Sequence, residues 1–140
     1  MNQLELRLDI FGSDQKIYID NIEFSNCALI RLKIDSRSLE FVEEAMIVFS
    51  ELHKSINSDG KFLIFTDASG IADDGGWEGV VVKHYREKVV WNFEYDDEKF
   101  HLEFSAKNYE DQILNLKSHI DKLPSSIILE PQSVFFPEQW

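Results

Sequence analysis

Residues 88–105 read KVVWNFEYDDEKFHLEFS, and this stretch decides the fold class of the chain. Apolar and polar side chains alternate on both sides of a central polar tripeptide, a period of two that is typical of β-strands. The tripeptide Asp96-Asp97-Glu98 has the length of a hairpin connection. We therefore predict an antiparallel hairpin with strands over 88–95 and 100–105.

Similar alternation predicts further strands before and between two helical segments. The first helix is indicated by apolar residues at three- and four-residue steps, and the polar run 57–60 ends it. The second is predicted over 108–123, with Asn108 and Asp111 resembling a capping box and Pro124 ending the helix. The remaining predicted strands cover 4–10, 17–24, 30–34, 62–66 and 79–85. The periodic positions of the first helix are Leu39, Val42, Met46, Phe49, Leu52 and Ile56.

The order of elements is strand block, helix, strand block, helix, which predicts an α+β fold with mainly antiparallel sheets. A doubly wound parallel sheet would need strands and helices to alternate one by one. The whole chain, 1–140, is expected to form a single domain. Its segment 124–140 combines prolines with large apolar residues and is expected to dock as an extended tail.

Composition limits the classes of partner and the compartment that we expect for this protein. The 140 residues carry a formal charge of −12, and the pI is near 4.6. Nucleic-acid backbones and anionic membranes need clustered Lys and Arg, so we expect neither as partner. A single cysteine, Cys27, and a start with neither a basic nor an apolar run indicate a soluble protein of a reducing, cytoplasmic compartment.

The acidic, glycine-rich segment 67–79 is the densest polar stretch. Its spacing fails the EF-hand pattern, and a phosphate would be repelled by Asp73 and Asp74. We expect a solvated loop or a protein contact there, with no metal and no cofactor.

Catalytic motifs are weak throughout the sequence. There is no Gly-x-Ser-x-Gly elbow, and Cys27 begins an apolar strand, where thiols are usually inert. The four histidines have no metal-ligand spacing. Acid–base catalysis by a pair of carboxylates remains possible only because acidic residues are numerous, and no spacing supports it. We therefore expect a protein without enzymatic activity.

The hairpin 88–105 is expected to display an acidic patch. Alternation places Glu94 and Glu103 on one face, and the turn adds Asp96, Asp97 and Glu98. Like charges on adjacent strands destabilise a sheet, so either solvent tolerates them or a basic partner relieves them.

A basic nuclease toxin would be a suitable partner for such an acidic surface. Opposite charge raises both the rate of association and the specificity of an inhibitor for its toxin. Tryptophan is a common anchor of such interfaces. The candidate toxin-binding residues are Asp73, Asp74, Trp77, Glu78, Glu94, Asp96, Asp97, Glu98 and Glu103.

The run Gly60-Lys61-Phe62-Leu63-Ile64-Phe65 through Trp77-Glu78-Gly79-Val80-Val81-Val82, with the size, acidity and element order, resembles bacterial immunity proteins. The most similar group is the immunity proteins of contact-dependent growth inhibition systems, which neutralise toxin nuclease domains. The resemblance implies a cytoplasmic inhibitor and a fold similar to the Whirly single-stranded-DNA-binding proteins.

Two other functions remain open. A Whirly-like module could bind single-stranded nucleic acid, for which Arg31, Lys33 and Arg37 form a modest basic cluster that the net charge opposes. A general protein-interaction domain without a toxin is the other alternative.

Overall fold

The computed structural model describes residues 1–19, 21–38, 45–66, 79–132 and 134. It confirms the α+β class and the order of strand block, helix, strand block, helix. The elements are β1 Leu4–Phe11, β2 Ile17–Ile19, β3 Ile22–Phe24, β4 Cys27–Ile34, β5 Met46–Ile47, α1 Phe49–Lys54, β6 Gly60–Phe62, β7 Phe65–Thr66, β8 Val80–His84, β9 Lys88–Tyr95, β10 Glu98–Ser105, α2 Ala106–Asp121 and β11 Ile128–Leu129.

Two sheets carry most of the described structure. One has the strand order β1-β4-β11 and the other β10-β9-β8-β6, while β2-β3 and β5-β7 form short ribbons. All pairs are antiparallel except β11 with β4. In the predicted hairpin, Phe93 lies opposite Phe100 and Trp91 opposite Leu102, which confirms the expected apolar face.

The core lies on that apolar face and beneath α2. Trp91 is fully buried, with its ring centroid 5.1 Å from that of Phe104 and 6.0 Å from that of Tyr109. α2 turns Tyr109, Ile113 and Leu116 toward the sheet, as the helical spacing predicts. Edge-to-face aromatic packing therefore joins the second sheet to α2.

A short polar chain crosses this core. The Trp91 indole N–H donates to the Tyr109 hydroxyl at 3.0 Å, and that hydroxyl lies 2.6 Å from the Ser55 hydroxyl. Ser55 also donates to the Leu52 carbonyl at 2.6 Å. Burial raises the pKa of Tyr109 to about 12. Each side-chain polar group of this Trp91–Tyr109–Ser55 series has a partner, so the series orients α2 without leaving one of its own groups unmet.

The first predicted helix is wrong in its extent. Within 45–56, the described part of this segment, only Phe49–Lys54 is α-helical, whereas Met46 and Ile47 form β5 opposite Thr66 and Phe65. Residues 45–48 are all buried, and a continuous apolar run fits a buried strand as well as a helix. Extended backbone at Val48 marks the change from strand to helix. The predicted part over 39–44 lies outside the described residues.

Other predicted boundaries also move. The expected strand over 17–24 is two strands joined by a turn with positive φ at Asn21, and the strand over 62–66 is split into β6 and β7. α2 begins at Ala106, and Ser105 caps it by accepting from the Asn108 amide at 3.0 Å. The predicted cap was Asn108, whose side chain instead contacts β1.

The described part of the tail contains the strand β11, which pairs with β4. β11 runs parallel to β4, with the Ile128 amide donating to Asn26 at 3.1 Å and the Glu130 amide to Ala28 at 3.0 Å. Residues 133 and 135–140 of the predicted tail lie outside the described part. Cys27, beside β11, is 1% exposed, and burial raises the pKa of its thiol. No helix among the described residues has the length and apolarity to cross a membrane.

Candidate protein-binding cleft

The predicted site residues fall into three groups. Asp73, Asp74, Trp77 and Glu78 lie outside the described residues. Glu94 and Glu103 point away from the core on the face of the β10-β9-β8-β6 sheet, here called the outer face. Asp96, Asp97 and Glu98 form the tip of the β9–β10 hairpin.

The outer face is not the acidic patch that the sequence suggested. Directly opposed residues share a face, and Lys99 lies opposite Glu94. Lys88 reaches Glu103 at 2.6 Å, and this hydrogen bond together with the charge of Lys88 lowers the pKa of Glu103. The register brings four lysines and two carboxylates to this face: Lys61, Lys83, Lys88, Lys99, Glu94 and Glu103.

The hairpin tip forms one end of a cleft of about 710 Å³. One wall is β10 with the tip, the other is the end of β4 with the turn after it, and Asn2 also lines the cleft. The apolar lining consists of Ile34, Tyr95, Phe100 and Leu102. The polar lining consists of Asn2, Asp35, Arg37, Ser38, Asp96 and Glu98, so one cation stands among three carboxylates in the described lining.

Two tight turns with the same geometry flank the cleft. Asp35 and Ser36 have φ of 54° and 65°, and Asp96 and Asp97 have φ of 51° and 62°. Two successive residues with positive φ define a type I′ turn, whose twist matches that of the flanking strands. Glycine, asparagine and aspartate are the usual residues at such positions, and other residues there cost on the order of 1 kcal/mol each. The two turns therefore place Asp35 and Asp96 at the rim of the cleft through their local backbone geometry.

Asp35 is fixed at the rim by the N-terminal segment. Its carboxylate accepts from the Asn2 side chain at 2.8 Å and from the Gln3 amide at 2.7 Å. These two hydrogen bonds lower the pKa of Asp35, Asn2 contributing most. The sequence did not predict Asp35 as a site residue, and Arg37 was assigned only to the basic cluster considered for nucleic acid. The polar pair Asp35-Ser36 directly after a strand is nevertheless a recognisable turn signal.

The basic cluster considered for nucleic acid is partly neutralised. Arg31 lies opposite Arg7 across β1 and β4, and both contact Asp9, at 3.2 Å and 2.8 Å. Burial pushes the pKa of Asp9 up, but the hydrogen bonds from the two arginines outweigh it and lower that pKa. Arg37 lies apart from this pair, in the cleft.

A carboxylate–histidine pair lies in the β10-β9-β8-β6 sheet, on the side of β6 and β8. Asp59 Oδ1 is 2.7 Å from His84 Nδ1 and also accepts from the His84 amide at 2.8 Å. The hydrogen bond from the His84 side chain is the main cause that lowers the pKa of Asp59. His84 Nε2 is buried without a partner among the described residues. Because that nitrogen is buried, we assign the pair a structural role: it holds the segment before β6 against the end of β8.

Within the described ranges, no cluster of three or more His, Cys, Asp or Glu side chains has the arrangement of a metal site. Comparison of the chain with protein-family models, curated proteins and solved structures found no match. The structure alone therefore defines the class of the protein. It is an acidic α+β domain with a cleft of about 710 Å³ between two sheets.

Proposed function

We propose that this protein is an immunity-type inhibitor that binds a basic toxin domain, a nuclease, in the cytoplasm. The observation that supports the proposal is the cleft between the hairpin tip and the turn after β4. It combines an apolar floor with the carboxylates of Asp35, Asp96 and Glu98 at its rim. An apolar centre within a polar rim is the usual composition of a protein interface.

Charge gives the second support. A chain of formal charge −12 attracts a cationic domain over long range and accelerates encounter. Rim carboxylates then select the basic partner, whereas buried apolar contacts determine how long it stays bound. Among the predicted residues, Asp96 and Glu98 carry most weight, because Glu94 and Glu103 already face lysines.

The experiment is calorimetry against the C-terminal domain encoded by the immediately upstream reading frame, at two salt concentrations. We expect a one-to-one complex that weakens with salt and abolishes a nuclease activity. In the double variant Asp96→Asn, Glu98→Gln, affinity should fall about tenfold or more, equivalent to about 1.4 kcal/mol.

A charge-matched control is available on α2. Glu110→Gln with Asp111→Asn removes the same net charge from an exposed helix face outside the cleft. We expect this control to change affinity by no more than about twofold, through the overall field alone. Equal losses in the two double variants would place the interface away from the cleft, and the absence of binding to any basic domain would contradict the proposal.

The outer face of the second sheet supports one alternative, binding of single-stranded nucleic acid. Among the described residues, four lysines and two carboxylates lie on this face. Tyr85 is 54% exposed, and the Lys88 ammonium lies 5.4 Å from its ring centroid. Aromatic side chains beside cations are the elements that single strands require. Binding of an oligonucleotide at physiological salt, lost in Lys83→Gln, would favour this function.

A further inference from the structure

We propose that the outer edge of β10 is the docking site for an extended, basic segment of the partner, which adds to the second sheet as a further strand. The proposal deepens the inhibitor function and rests on it for the identity of the partner. It depends on three features of the structure: which way the backbone of β10 points, how the edge is closed at one end, and what lies beside it.

The direction of the β10 backbone follows from the hairpin. A two-residue turn makes its flanking residues, Tyr95 and Glu98, a hydrogen-bonded pair, and the pattern alternates from there. The N–H and C=O groups of Lys99, His101 and Glu103 consequently point away from β9. Glu103 confirms this direction, because its amide donates to Asn2 Oδ1 at 2.9 Å and its carbonyl accepts from the Asn2 amide at 2.6 Å.

Asn2 closes the edge at Glu103 only. In the described part of the chain, no hydrogen bond reaches the outward backbone groups of Lys99 or His101. The open stretch runs from Glu98 to Leu102, about 17 Å at roughly 3.3 Å per residue. An added strand of four to five residues would fit between Asn2 and the hairpin tip and would extend the bridge that Asn2 already makes.

The chemistry beside the edge selects the occupant. An added strand would place alternate side chains over the cleft, against Ile34, Phe100 and Leu102. Near the tip it would meet the carboxylates of Asp96 and Glu98, which favour Lys or Arg. A second copy of this chain would carry the same net charge of −12 and repel. On the other face the added strand would lie beside Lys99 and His101, so its residues there are not basic. The occupant is therefore a strand with apolar residues over the cleft, a Lys or Arg at the end that meets the tip, and uncharged polar residues on the outer face.

The second half of β1 is another strand edge without a cover among the described residues. The groove of about 350 Å³ beside it is lined by Arg7, His119 and Lys122, together with apolar side chains. These groups repel a cationic segment. Of the two edges, charge complementarity favours β10 for a basic partner, and the mode of binding is the addition of a β-strand to a sheet edge.

The test compares His101→Pro with His101→Ala. Both variants lose the hydrogen bond of 2.6 Å between His101 Nδ1 and Asn92. Only proline removes the outward N–H and fills the edge with its ring, and an edge strand tolerates proline where the N–H points away from the sheet. The probe is a blocked synthetic peptide, Lys-Thr-Val-Thr-Val-Thr, whose Lys lies beside the tip when the strand runs parallel to β10 as the Asn2 bridge does. Its affinity is measured by titration followed by NMR.

We expect the wild type and His101→Ala to bind the peptide and to slow hydrogen exchange at the Lys99 and His101 amides. His101→Pro should lose about tenfold or more in affinity. A peptide N-methylated at alternate residues should fail to bind the wild type, which tests the backbone contact without any protein variant. Equal binding by both variants, or no binding of the unmodified peptide, would overturn the proposal, as would a dimer paired through β10.

The upstream-encoded basic domain separates this proposal from the inhibitor function. If that domain binds the wild type and both His101 variants equally, the inhibitor function stands and strand addition is wrong. If the peptide binds as expected and the domain does not, the edge is a docking site and the inhibitor function is wrong.

Discussion

The outer edges of β1 and β10 differ in how many of their backbone groups have hydrogen-bond partners. Over the first half of β1, α2 supplies side-chain amides: Asn108 accepts from the Leu4 amide at 2.9 Å, and Gln112 accepts from the Leu6 amide at 2.9 Å. Over β10, Asn2 covers Glu103 alone among the described residues. Exposed edges invite pairing with other chains, and proteins usually cover them. The difference leaves the backbone groups of Lys99 and His101 available for the strand addition proposed above, whereas those of Leu4 and Leu6 already have partners.

The largest expected effect comes from opening the closed edge. Leu4 is fully buried, and Asn108→Ala leaves both its N–H and its C=O without their partner. We expect the free energy of unfolding to fall by about 2–3 kcal/mol, because each unmet buried group costs roughly 1–3 kcal/mol. Urea denaturation gives the value, and the Ser105 cap remains because it binds the backbone of Asn108.

Glu110→Ala is the control for that variant, since its side chain is exposed on the same helix. It should change stability by no more than about 0.5 kcal/mol. If Asn108→Ala costs no more than Glu110→Ala, the helix amides do not close the β1 edge in the way described.

A smaller effect is expected where α2 is anchored to the other sheet. Tyr109→Phe removes the hydroxyl that accepts from Trp91 and contacts Ser55, at a cost of about 1–2 kcal/mol. Because the folded pKa of Tyr109 is raised from 10.0 to about 12, the folded state holds its proton after the unfolded chain has lost it. Stability due to Tyr109 is complete below pH 10 and is lost as the pH rises from 10 to 12.

Denaturation of the wild type and Tyr109→Phe between pH 9 and 12 measures this contribution as a difference. The gap between the two stabilities should shrink as the pH rises. A gap that stays constant over this range would mean that Tyr109 ionises equally in both states.

The smallest expected effect has the opposite sign and lies at the open edge. Asp97 has a φ of 62° and does not line the cleft, so Asp97→Gly relieves strain and should stabilise the fold by about 0.5–1 kcal/mol. Glu87→Gly is the matched control, because Glu87 lies in the short connection between β8 and β9 and has no positive φ. That control should destabilise the protein, and equal shifts in the two variants would contradict the assignment of strain to the tip.

The sequence predicted the hairpin well because its information is local. Alternation over 88–105 and a polar connection determine strands, register and inward face within 18 residues, and Asp96 and Glu98 were correctly expected to be exposed there. The first helix was wrong because the buried run 45–48 is equally apolar at every position, and its pairing with β7 depends on residues about 20 positions away.

The opposite wall of the cleft and the two edges could not be predicted in this way. Asp35 and Arg37 line the cleft only because the fold brings the end of β4 close to β10. Asn108 contacts Leu4, which lies 104 positions away in the sequence. The prediction of an acidic patch on the outer face was wrong for a related reason. The alternation of β9 and β10 was applied to their carboxylates, whereas the pairing of four strands also brings Lys61, Lys83, Lys88 and Lys99 to that face.

Residue-specific amide exchange, in the free protein and with the upstream-encoded basic domain, tests the central claim most directly. In the free protein, the Leu4, Leu6 and Glu103 amides should exchange slowly and the Lys99 and His101 amides fast. In the complex, Lys99 and His101 should become protected while Leu4 and Leu6 remain unchanged. Protection of Lys99 and His101 already in the free protein, or fast exchange in a tight complex, would contradict the account.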